Sequence, residues 1–236
     1  MLKTLLMPVV NYLLPHRCIA CSNLTDNSEG ICHLCFQKLN FISAPYCNKC
    51  GSPFEFKVEG KMVCGGCVAK PAYYDIARSL WQFDEHSKRL IHAFKYNDRT
   101  AYARAFAKII LSRYKEEVTE VDLIVPVPMH RIKRVLRQYN PPQILAFELS
   151  RMLNVPMVPD MLIKVRWTKP QTKLTKVQRE KNLAGSIIIN KNKKPVGAKI
   201  LLIDDVKTTG TTSNTCARIL KQAGATQVKL ITIGAT

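Results

Sequence analysis

KILLIDDVKTTG spans Lys199 to Gly210 and holds the strongest structural signal in this sequence. Its aliphatic residues, Ile200–Ile203, form the continuous apolar run that a strand buried on both faces requires. Asp204 and Asp205 end that run, and the threonine- and glycine-containing stretch Thr208–Thr212 follows. The pattern predicts a buried parallel strand whose apolar run ends at two carboxylates and which leads into a turn.

A helix is predicted directly after this turn. Its apolar residues recur at i, i+3, i+4 and i+7, and Gly224 is suited to the C′ position that ends a helix. These residues are Cys216, Ile219, Leu220 and Ala223. A strand that passes through a glycine-containing turn into a helix points several backbone N–H groups at one spot, and that arrangement binds phosphate. The sequence contains no G-x-x-x-x-G-K-[ST] stretch, which excludes a P-loop nucleotide hydrolase.

The segment resembles the phosphoribosyl-pyrophosphate (PRPP) loop of type I phosphoribosyltransferases. The resemblance implies that Asp204 and Asp205 bind the 2′- and 3′-hydroxyls of ribose. It also implies a site for the 5′-phosphate on Thr208, Thr209, Gly210, Thr211 and Thr212, with Mg²⁺ accompanying PRPP. Lys207 receives no role.

A second loop of the site is expected after the apolar run Val121–Pro128. Proline cannot donate to a strand ladder, so this strand must end near Pro126. In the type I family the loop at this place contacts pyrophosphate, which implies that role for Val127, Pro128 and Met129. Further helices are expected at 87–96, 101–115 and 142–153, and further strands at Trp81 and Phe83, at 187–189 and at 228–233.

The charge of the chain is strongly positive. Its 236 residues include 36 Lys and Arg against 17 Asp and Glu, a formal net charge of +19. Residues 72–236 hold 29 of the basic and 13 of the acidic residues. Such an excess indicates polyanionic partners: nucleic acid, a pyrophosphate-bearing substrate, or both.

Candidate contacts to these anions fall into two groups. Arg131, Arg134 and Arg137 follow directly after the second loop, and Lys95 belongs to the helix expected at 87–96. Lys173, Lys176 and Arg179 belong to a polar, lysine-rich stretch, about 164–186, that is interpreted either as a disordered basic loop or as a flexible flap over the substrate.

Eight of the nine cysteines form four C-x-x-C knuckles. This spacing lets one turn present two thiolates to a tetrahedral ion, so four knuckles predict two structural Zn²⁺ sites. Three pairings of the knuckles are possible, and sequential pairing closes the shortest loops. The preferred ligands are Cys18, Cys21, Cys32 and Cys35 for one ion and Cys47, Cys50, Cys64 and Cys67 for the other. The ninth, Cys216, is expected in the core.

The length fits one α/β domain and a small additional module. We expect an N-terminal segment with a double zinc ribbon at 1–71 and a phosphoribosyltransferase-like domain at 72–236. Met1–Leu14 is apolar but too short to span a membrane, and no transmembrane segment is expected. With no export signal a cytoplasmic protein is expected, in which paired cysteines indicate metal rather than disulfides.

Four knuckles ahead of a PRPP loop resemble the ComF family of competence-associated phosphoribosyltransferase-like proteins. Other shared motifs are Phe94-Lys95-Tyr96, Val125–Pro128, Arg137 with Tyr139-Asn140, and Gln171 with Arg179 and Asn182. The chain departs from the family at Gln138 and Pro141, and at Gly185-Ser186, where an aromatic residue is usual.

The resemblance implies an α/β fold: a type I phosphoribosyltransferase-like, doubly wound parallel sheet behind the zinc-ribbon module. It also implies a role in DNA uptake for natural transformation, with single-stranded DNA and other competence proteins, such as a DNA-uptake helicase and a recombination mediator, as partners. A true purine- or pyrimidine-type phosphoribosyltransferase of nucleotide salvage and a non-catalytic sensor of PRPP or a nucleotide are the alternatives. Whether catalysis occurs, and on which base, is left open.

Overall fold

The computed structural model describes residues 17–25, 30–57, 60–96, 99–167, 178 and 182–236. Within them a parallel sheet has the strand order β1-β6-β5-β2, and β3 pairs with β4 in a separate antiparallel sheet. The strands are β1 (Ile76–Gln82), β2 (Leu123–Pro126), β3 (Leu162–Lys164), β4 (Ile187–Ile189), β5 (Lys199–Lys207) and β6 (Gln227–Ala235).

Helices separate most of these strands, as parallel neighbours require. The helices α1 (His33–Gln37) and α2 (Gly65–Ala69) precede β1. Those that follow it are α3 (Glu85–Tyr96), α4 (Arg99–Arg113), α5 (Lys115–Thr119), α6 (Arg131–Arg137), α7 (Pro141–Leu153) and α8 (Thr211–Gln222). The predicted helices at 87–96, 101–115 and 142–153 correspond to α3, α4 and α7 with slightly shifted ends. The predicted strand at Trp81 and Phe83 is β1, which ends at Gln82, before Phe83.

The central strand β5 shows why the sheet is covered on both faces. Leu201 and Ile203 pack in one core with side chains of α3, α4 and α7. Ile200 and Leu202 pack in a second core with α8 and with the small β3–β4 sheet. All four are fully buried, so the apolar run satisfies both faces at once. Helices on both faces of a parallel sheet make this the predicted doubly wound architecture.

β5 is longer than the apolar run suggested. The apolar run ends at Ile203, but the strand continues to Lys207. The reason lies in its neighbour: β6 runs alongside as far as Ala235, and its residues pair with Asp204, Val206 and Lys207 in the parallel register. Backbone hydrogen bonds to β6 therefore keep the polar end of β5 in the strand conformation, although its apolar run has already ended.

The predicted strand at 187–189 is confirmed as β4, but it lies outside the main sheet. It pairs with β3 through Ile163 and Ile188 at the centre of a short antiparallel ladder. These two strands flank the segment interpreted as a flap. Most of that segment lies outside the described residues, and so does Met1–Leu14. None of the helices among the described residues has both the length and the hydrophobicity that a membrane span requires.

The two cysteine clusters lie against opposite faces of the sheet. Cys18 belongs to the core that contains α3, α4 and α7. Cys47, Cys50 and Cys67 belong to the core that contains α8. The second cluster approaches β1 closely, because a Cβ on Gly51 would lie 2.5 Å from the carbonyl oxygen of Ala77. The zinc-ribbon part and the sheet thus share their cores.

Candidate anion site and zinc centres

The loop between β5 and α8, Thr208–Thr212, has the geometry of an anion-binding turn and is the predicted phosphate cradle. Gly210 has a left-handed backbone with φ of 68° and is the N-cap of α8, a position where glycine fits without strain. The hydroxyls of Thr209 and Thr211 lie 2.8 Å apart. Thr208 and Thr209 are exposed at the tip, and Thr212 is half-buried in the first turn. The first N–H groups of a helix lack partners within it, so this loop offers amides and hydroxyls to one anion.

Asp204 is held on the α8 side of the sheet. Its two carboxylate oxygens accept hydrogen bonds from Ser213 Oγ at 2.7 Å and from the backbone N–H of Asp205 at 2.9 Å. Burial, together with the neighbouring carboxylate of Asp205, raises the pKa of Asp204 to about 7. This carboxyl group therefore changes its charge near neutral pH.

Asp205 faces the other side of the sheet because side chains alternate along a strand. Its carboxylate forms an ion pair with Lys95 of α3, with Nζ and Oδ2 2.9 Å apart. Both side chains are about one-fifth exposed. The predicted anion contact Lys95 is thus engaged with the predicted sugar-binding residue Asp205. Asp204 and Asp205 occupy different environments, although the sequence suggested one shared task.

The predicted pyrophosphate loop lies beside this strand end. Pro126 is in register with Ile203, and the backbone N–H of Val127 donates to the carbonyl of Ile203 at 2.8 Å. Asn140 Nδ2 donates to the carbonyl of Val127 at 3.1 Å and fixes the loop from the start of α7. Val127 is buried, whereas Pro128 and Met129 are half-buried. The strand ends at Pro126, as predicted.

Two of the predicted cationic contacts are exposed on α6. Arg131 and Arg134 lie on this helix directly after the second loop, and both side chains are exposed. The rings of His130 and Trp167 lie 5.4 Å apart in an edge-to-face arrangement, which brings the start of the lysine-rich stretch beside α6. Arg137 is the last residue of α6, and its side chain lies outside the described part. Lys173, Lys176 and Arg179 lie outside the described residues.

The eight knuckle cysteines form two groups of four with the predicted sequential pairing. Within each group the Sγ atoms lie within 4.8 Å of one another. A Zn–S bond of about 2.3 Å gives a tetrahedron with edges of about 3.8 Å. The Cys21–Cys32 and Cys50–Cys64 sulfur distances are 3.8 and 3.7 Å. The donor sets fit two structural Zn²⁺ ions.

Backbone amides prepare one sulfur in each centre for the thiolate form. Cys18 Sγ accepts from the backbone N–H of Cys32 at 3.3 Å, and Cys47 Sγ accepts from that of Cys64 at 3.3 Å. Burial alone would raise both pKa values, but the amide donors outweigh it and lower the pKa of Cys18 to about 7 and that of Cys47 to about 6. Cys216, by contrast, is buried on α8, and burial raises its pKa. This agrees with the predicted core role.

Lys207 is a functional candidate that the sequence interpretation missed. It lies at the end of β5 and is buried, and its Nζ donates a hydrogen bond to the backbone carbonyl of Cys50. Its side chain lies 3.7 Å from the Cβ position that Gly210 lacks. Lys207 therefore connects the phosphate cradle to the second cysteine centre. No local pattern marks it, because the contact joins distant segments.

A cleft of about 580 Å³ opens between the cradle and the second cysteine centre. The sequence interpretation did not foresee it. It is lined by the loop from Lys207 to Thr211, by one face of α8, by the Cys64–Cys67 knuckle and by the segment that leaves this knuckle toward β1. Lys70, Lys207 and Arg218 are the cationic residues among its walls.

Comparisons with known proteins match the two parts of the chain separately. The double zinc ribbon domain family matches residues 9–68, and the phosphoribosyl transferase domain family matches residues 144–235. Together with the parallel sheet and the two cysteine centres, these matches confirm the predicted fold class.

Curated relatives extend over most of the chain. Competence protein F of Haemophilus influenzae is 28% identical over 91% of this chain and 94% of its own length. DNA utilization protein YhgH of Escherichia coli K12 is 27% identical over 85% of this chain and 88% of its own. Competence protein ComFC of Bacillus subtilis is 29% identical over 85% of this chain and 82% of its own.

Proposed function

Since this chain belongs to the ComF family of competence-associated proteins, we propose that it is a PRPP-binding, phosphoribosyltransferase-like protein that acts in DNA uptake. The observation that supports the proposal is the order in which three groups of functional residues occur at one edge of the sheet. The acid pair Asp204–Asp205 leads through β5 into the Thr208–Thr212 cradle, and the pyrophosphate loop Val127–Met129 lies beside it. A ligand with a sugar between two phosphate groups matches that order.

In this proposal the cradle holds the 5′-phosphate through backbone N–H groups and threonine hydroxyls. At the end of β5, next to the cradle, Asp204 and Asp205 accept hydrogen bonds from the ribose hydroxyls. Because Lys95 already pairs with Asp205 at 2.9 Å, the sugar competes with this ammonium group for the carboxylate. A released Lys95 is then available to the pyrophosphate. When PRPP binds, Asp205 thus exchanges its contact with Lys95 for contacts with the ligand.

Mg²⁺ is proposed to enter with PRPP. This ion binds through one or two carboxylates together with substrate phosphates, and it neutralises their charge. Asp205 fits that requirement, because its carboxylate is partly accessible beside the expected pyrophosphate position. Before the ligand binds, the ion pair with Lys95 keeps this carboxylate near the end of β5.

Single-stranded DNA is the proposed macromolecular partner. The exposed residues Arg131 and Arg134 lie next to the pyrophosphate loop, and ten Lys or Arg residues occur between Met161 and Lys194. Their contacts would go mainly to phosphates, which gives affinity with little sequence preference.

We place the protein in the cytoplasm, with competence proteins as further partners. We place its domain boundary near residue 71, between the regions that the two families match.

Titration of the zinc-loaded protein with PRPP and Mg²⁺ tests the proposal, followed by titration with a single-stranded oligonucleotide. We expect PRPP to bind more tightly than ribose 5-phosphate, since it adds the pyrophosphate contacts. We expect the oligonucleotide to compete with PRPP. Base-dependent release of pyrophosphate with a panel of purines and pyrimidines would instead favour the salvage enzyme. Equal affinity for PRPP and ribose 5-phosphate would remove the pyrophosphate loop from the site.

A further inference from the structure

The cleft beside the phosphate cradle is not needed by PRPP. It is bounded by the Lys207–Thr211 loop, by α8 and by the second cysteine centre, and neither Asp204 nor Asp205 is among its lining residues. A sugar that reaches from the cradle to these carboxylates therefore extends away from the cleft. The 5′-phosphate of PRPP is a monoester, and its single carbon substituent, the ribose, lies toward Asp204 and Asp205. The part of this cleft of about 580 Å³ that lies toward Tyr73 and Arg218 stays free.

One wall of the cleft is a polar face of α8. Its lining residues follow the i, i+3, i+4, i+7 spacing that places side chains on one side of a helix. They are Thr211, Asn214, Thr215 and Arg218. The seven rises from Thr211 to Arg218 span about 10 Å, which is the length of one nucleotide rather than of a single phosphate. Asn214 Oδ1 accepts from the backbone N–H of Tyr73 at 2.7 Å and ties this wall to the opposite one.

The opposite wall supplies an aromatic ring and a modest charge. Tyr73 lines the cleft with half of its surface exposed (51%). The three lining cations, Lys70, Lys207 and Arg218, face a Zn(Cys)₄ centre with a formal charge of about −2. A net charge of only about +1 suits a nucleoside next to one phosphate better than a polyphosphate. Exposed aromatic rings stack on nucleobases of any sequence.

We propose that this cleft binds the nucleoside on the 3′-oxygen side of a phosphate held in the cradle, so that the cradle accepts an internal phosphodiester of a single DNA strand. The proposal rests on the proposed function, because it uses the same phosphate site. A phosphodiester differs from the PRPP monoester by a second carbon substituent, and the cleft is the space into which that substituent extends. The strand then has a fixed polarity: the 5′-linked sugar lies toward Asp204, and the preceding nucleoside lies against Tyr73 and Arg218.

The test compares two probes on the full-length, zinc-loaded protein: thymidine 5′-monophosphate and the dinucleoside thymidylyl-(3′→5′)-thymidine. The dinucleoside has an extra nucleoside and should bind about fivefold or more tightly. A gain of this size is expected from the stacking of one base on an aromatic side chain. Tyr73→Ala and Arg218→Ala should remove this gain and leave PRPP affinity unchanged. Tyr73→Ala keeps the backbone N–H that bonds to Asn214. Arg104→Ala, on the exposed face of α4, is the matched control and should change neither affinity.

The outcomes separate this proposal from the proposed function. If PRPP binds but the dinucleoside binds no better than the monophosphate, the cleft proposal is overturned and the PRPP site stands. If the dinucleoside binds better, in a manner dependent on Tyr73, while PRPP does not bind, the cleft stands and the PRPP site falls. If both variants weaken PRPP and the dinucleoside equally, the cleft has no ligand of its own and the proposal is overturned.

Photo-cross-linking tests the polarity. A dinucleoside with 4-thiothymine on its 5′ nucleoside should cross-link to the Lys70–Tyr74 segment or to the Cys64–Cys67 knuckle, as mapped by mass spectrometry. The same label on the 3′ nucleoside should not. Cross-links from the 3′ nucleoside alone would reverse the assigned direction and contradict the proposal.

Discussion

The ammonium group of Lys207 donates a hydrogen bond to the backbone carbonyl of Cys50, although 157 positions separate the two residues in the sequence. Lys207 ends the strand that leads into the phosphate cradle, and Cys50 belongs to the second cysteine centre. Burial lowers the pKa of Lys207, and the nearby thiolates oppose this effect. A buried cation beside a negatively charged metal centre stabilises both, so cradle and centre depend on each other.

Replacing Lys207 with methionine should therefore lower the free energy of unfolding by about 1–3 kcal/mol, the range for leaving buried hydrogen-bonding groups without a partner. It should also weaken PRPP binding, because the cradle loses its anchor. Zinc content should stay at two ions per chain, since no ligand is removed. Chemical denaturation and calorimetry measure the two effects. Lys191→Met, at an exposed position, is the control, and an equal loss in both variants would show that Lys207 has no special role.

The purified protein should contain two zinc ions per chain. Metal supplies much of the folding free energy of so small a cysteine-rich module. Cys47→Ser should reduce the zinc content, because Cys47 Sγ is a buried member of the second centre. Cys216→Ser should leave it at two, because this residue lies in the core under α8. Elemental analysis after reducing purification measures both, and one ion or none in the parent protein would contradict the two-centre assignment.

The site was only partly predictable from the sequence. The order of apolar strand, acid pair, glycine turn and helix is local, and the pairing of knuckles follows from loop length; both predictions agree with the structure. The different environments of Asp204 and Asp205 follow from alternation along a strand, a signal that was present but not used. The contact between Lys207 and Cys50, and the cleft beside it, depend on how distant segments pack. Local periodicity contains no such information.

Asp204 should make stability depend on pH. Its pKa in the folded state is raised to about 7 from 3.8, so the folded protein binds the extra proton and is favoured at low pH. That contribution is lost as the pH rises from about 4 through 7. Relative to Asp204→Asn, the parent should lose roughly 2–3 kcal/mol of unfolding free energy between pH 5 and pH 8. Denaturation curves of both proteins at the two pH values provide the measurement. Parallel pH dependences would mean that Asp204 ionises normally.

Binding of single-stranded DNA should weaken steeply with salt, by a log–log slope of roughly −0.7 for each phosphate neutralised. Arg131→Ala with Arg134→Ala should flatten the slope by about one unit, because both side chains are exposed beside the pyrophosphate loop. Lys88→Ala with Arg104→Ala, exposed on α3 and α4, removes the same charge elsewhere and serves as the control. A DNA affinity that does not change with salt concentration would rule out phosphate contacts as the main source of binding.

The lysine-rich stretch gives a separate test of the DNA interface. Lys173, Lys176 and Arg179 lie outside the described residues, and their role stays a prediction. Changing all three to alanine should flatten the salt slope further when added to the α6 pair. Fluorescence anisotropy at several salt concentrations measures the effect. An unchanged slope in the triple variant would move the contact to other cations, with Lys191–Lys194 tested next.

The central claim is that the end of β5 and the loop after it bind PRPP. Calorimetric titration of the parent protein and of Asp204→Asn with Asp205→Asn tests this most directly. A carboxamide offers one acceptor oxygen and adds donors where the sugar hydroxyls also donate, so the double variant should lose PRPP binding while its circular dichroism and zinc content stay unchanged. Asp160→Asn, at an exposed carboxylate outside the site, should bind as the parent does. Unchanged PRPP affinity in the double variant would contradict the account.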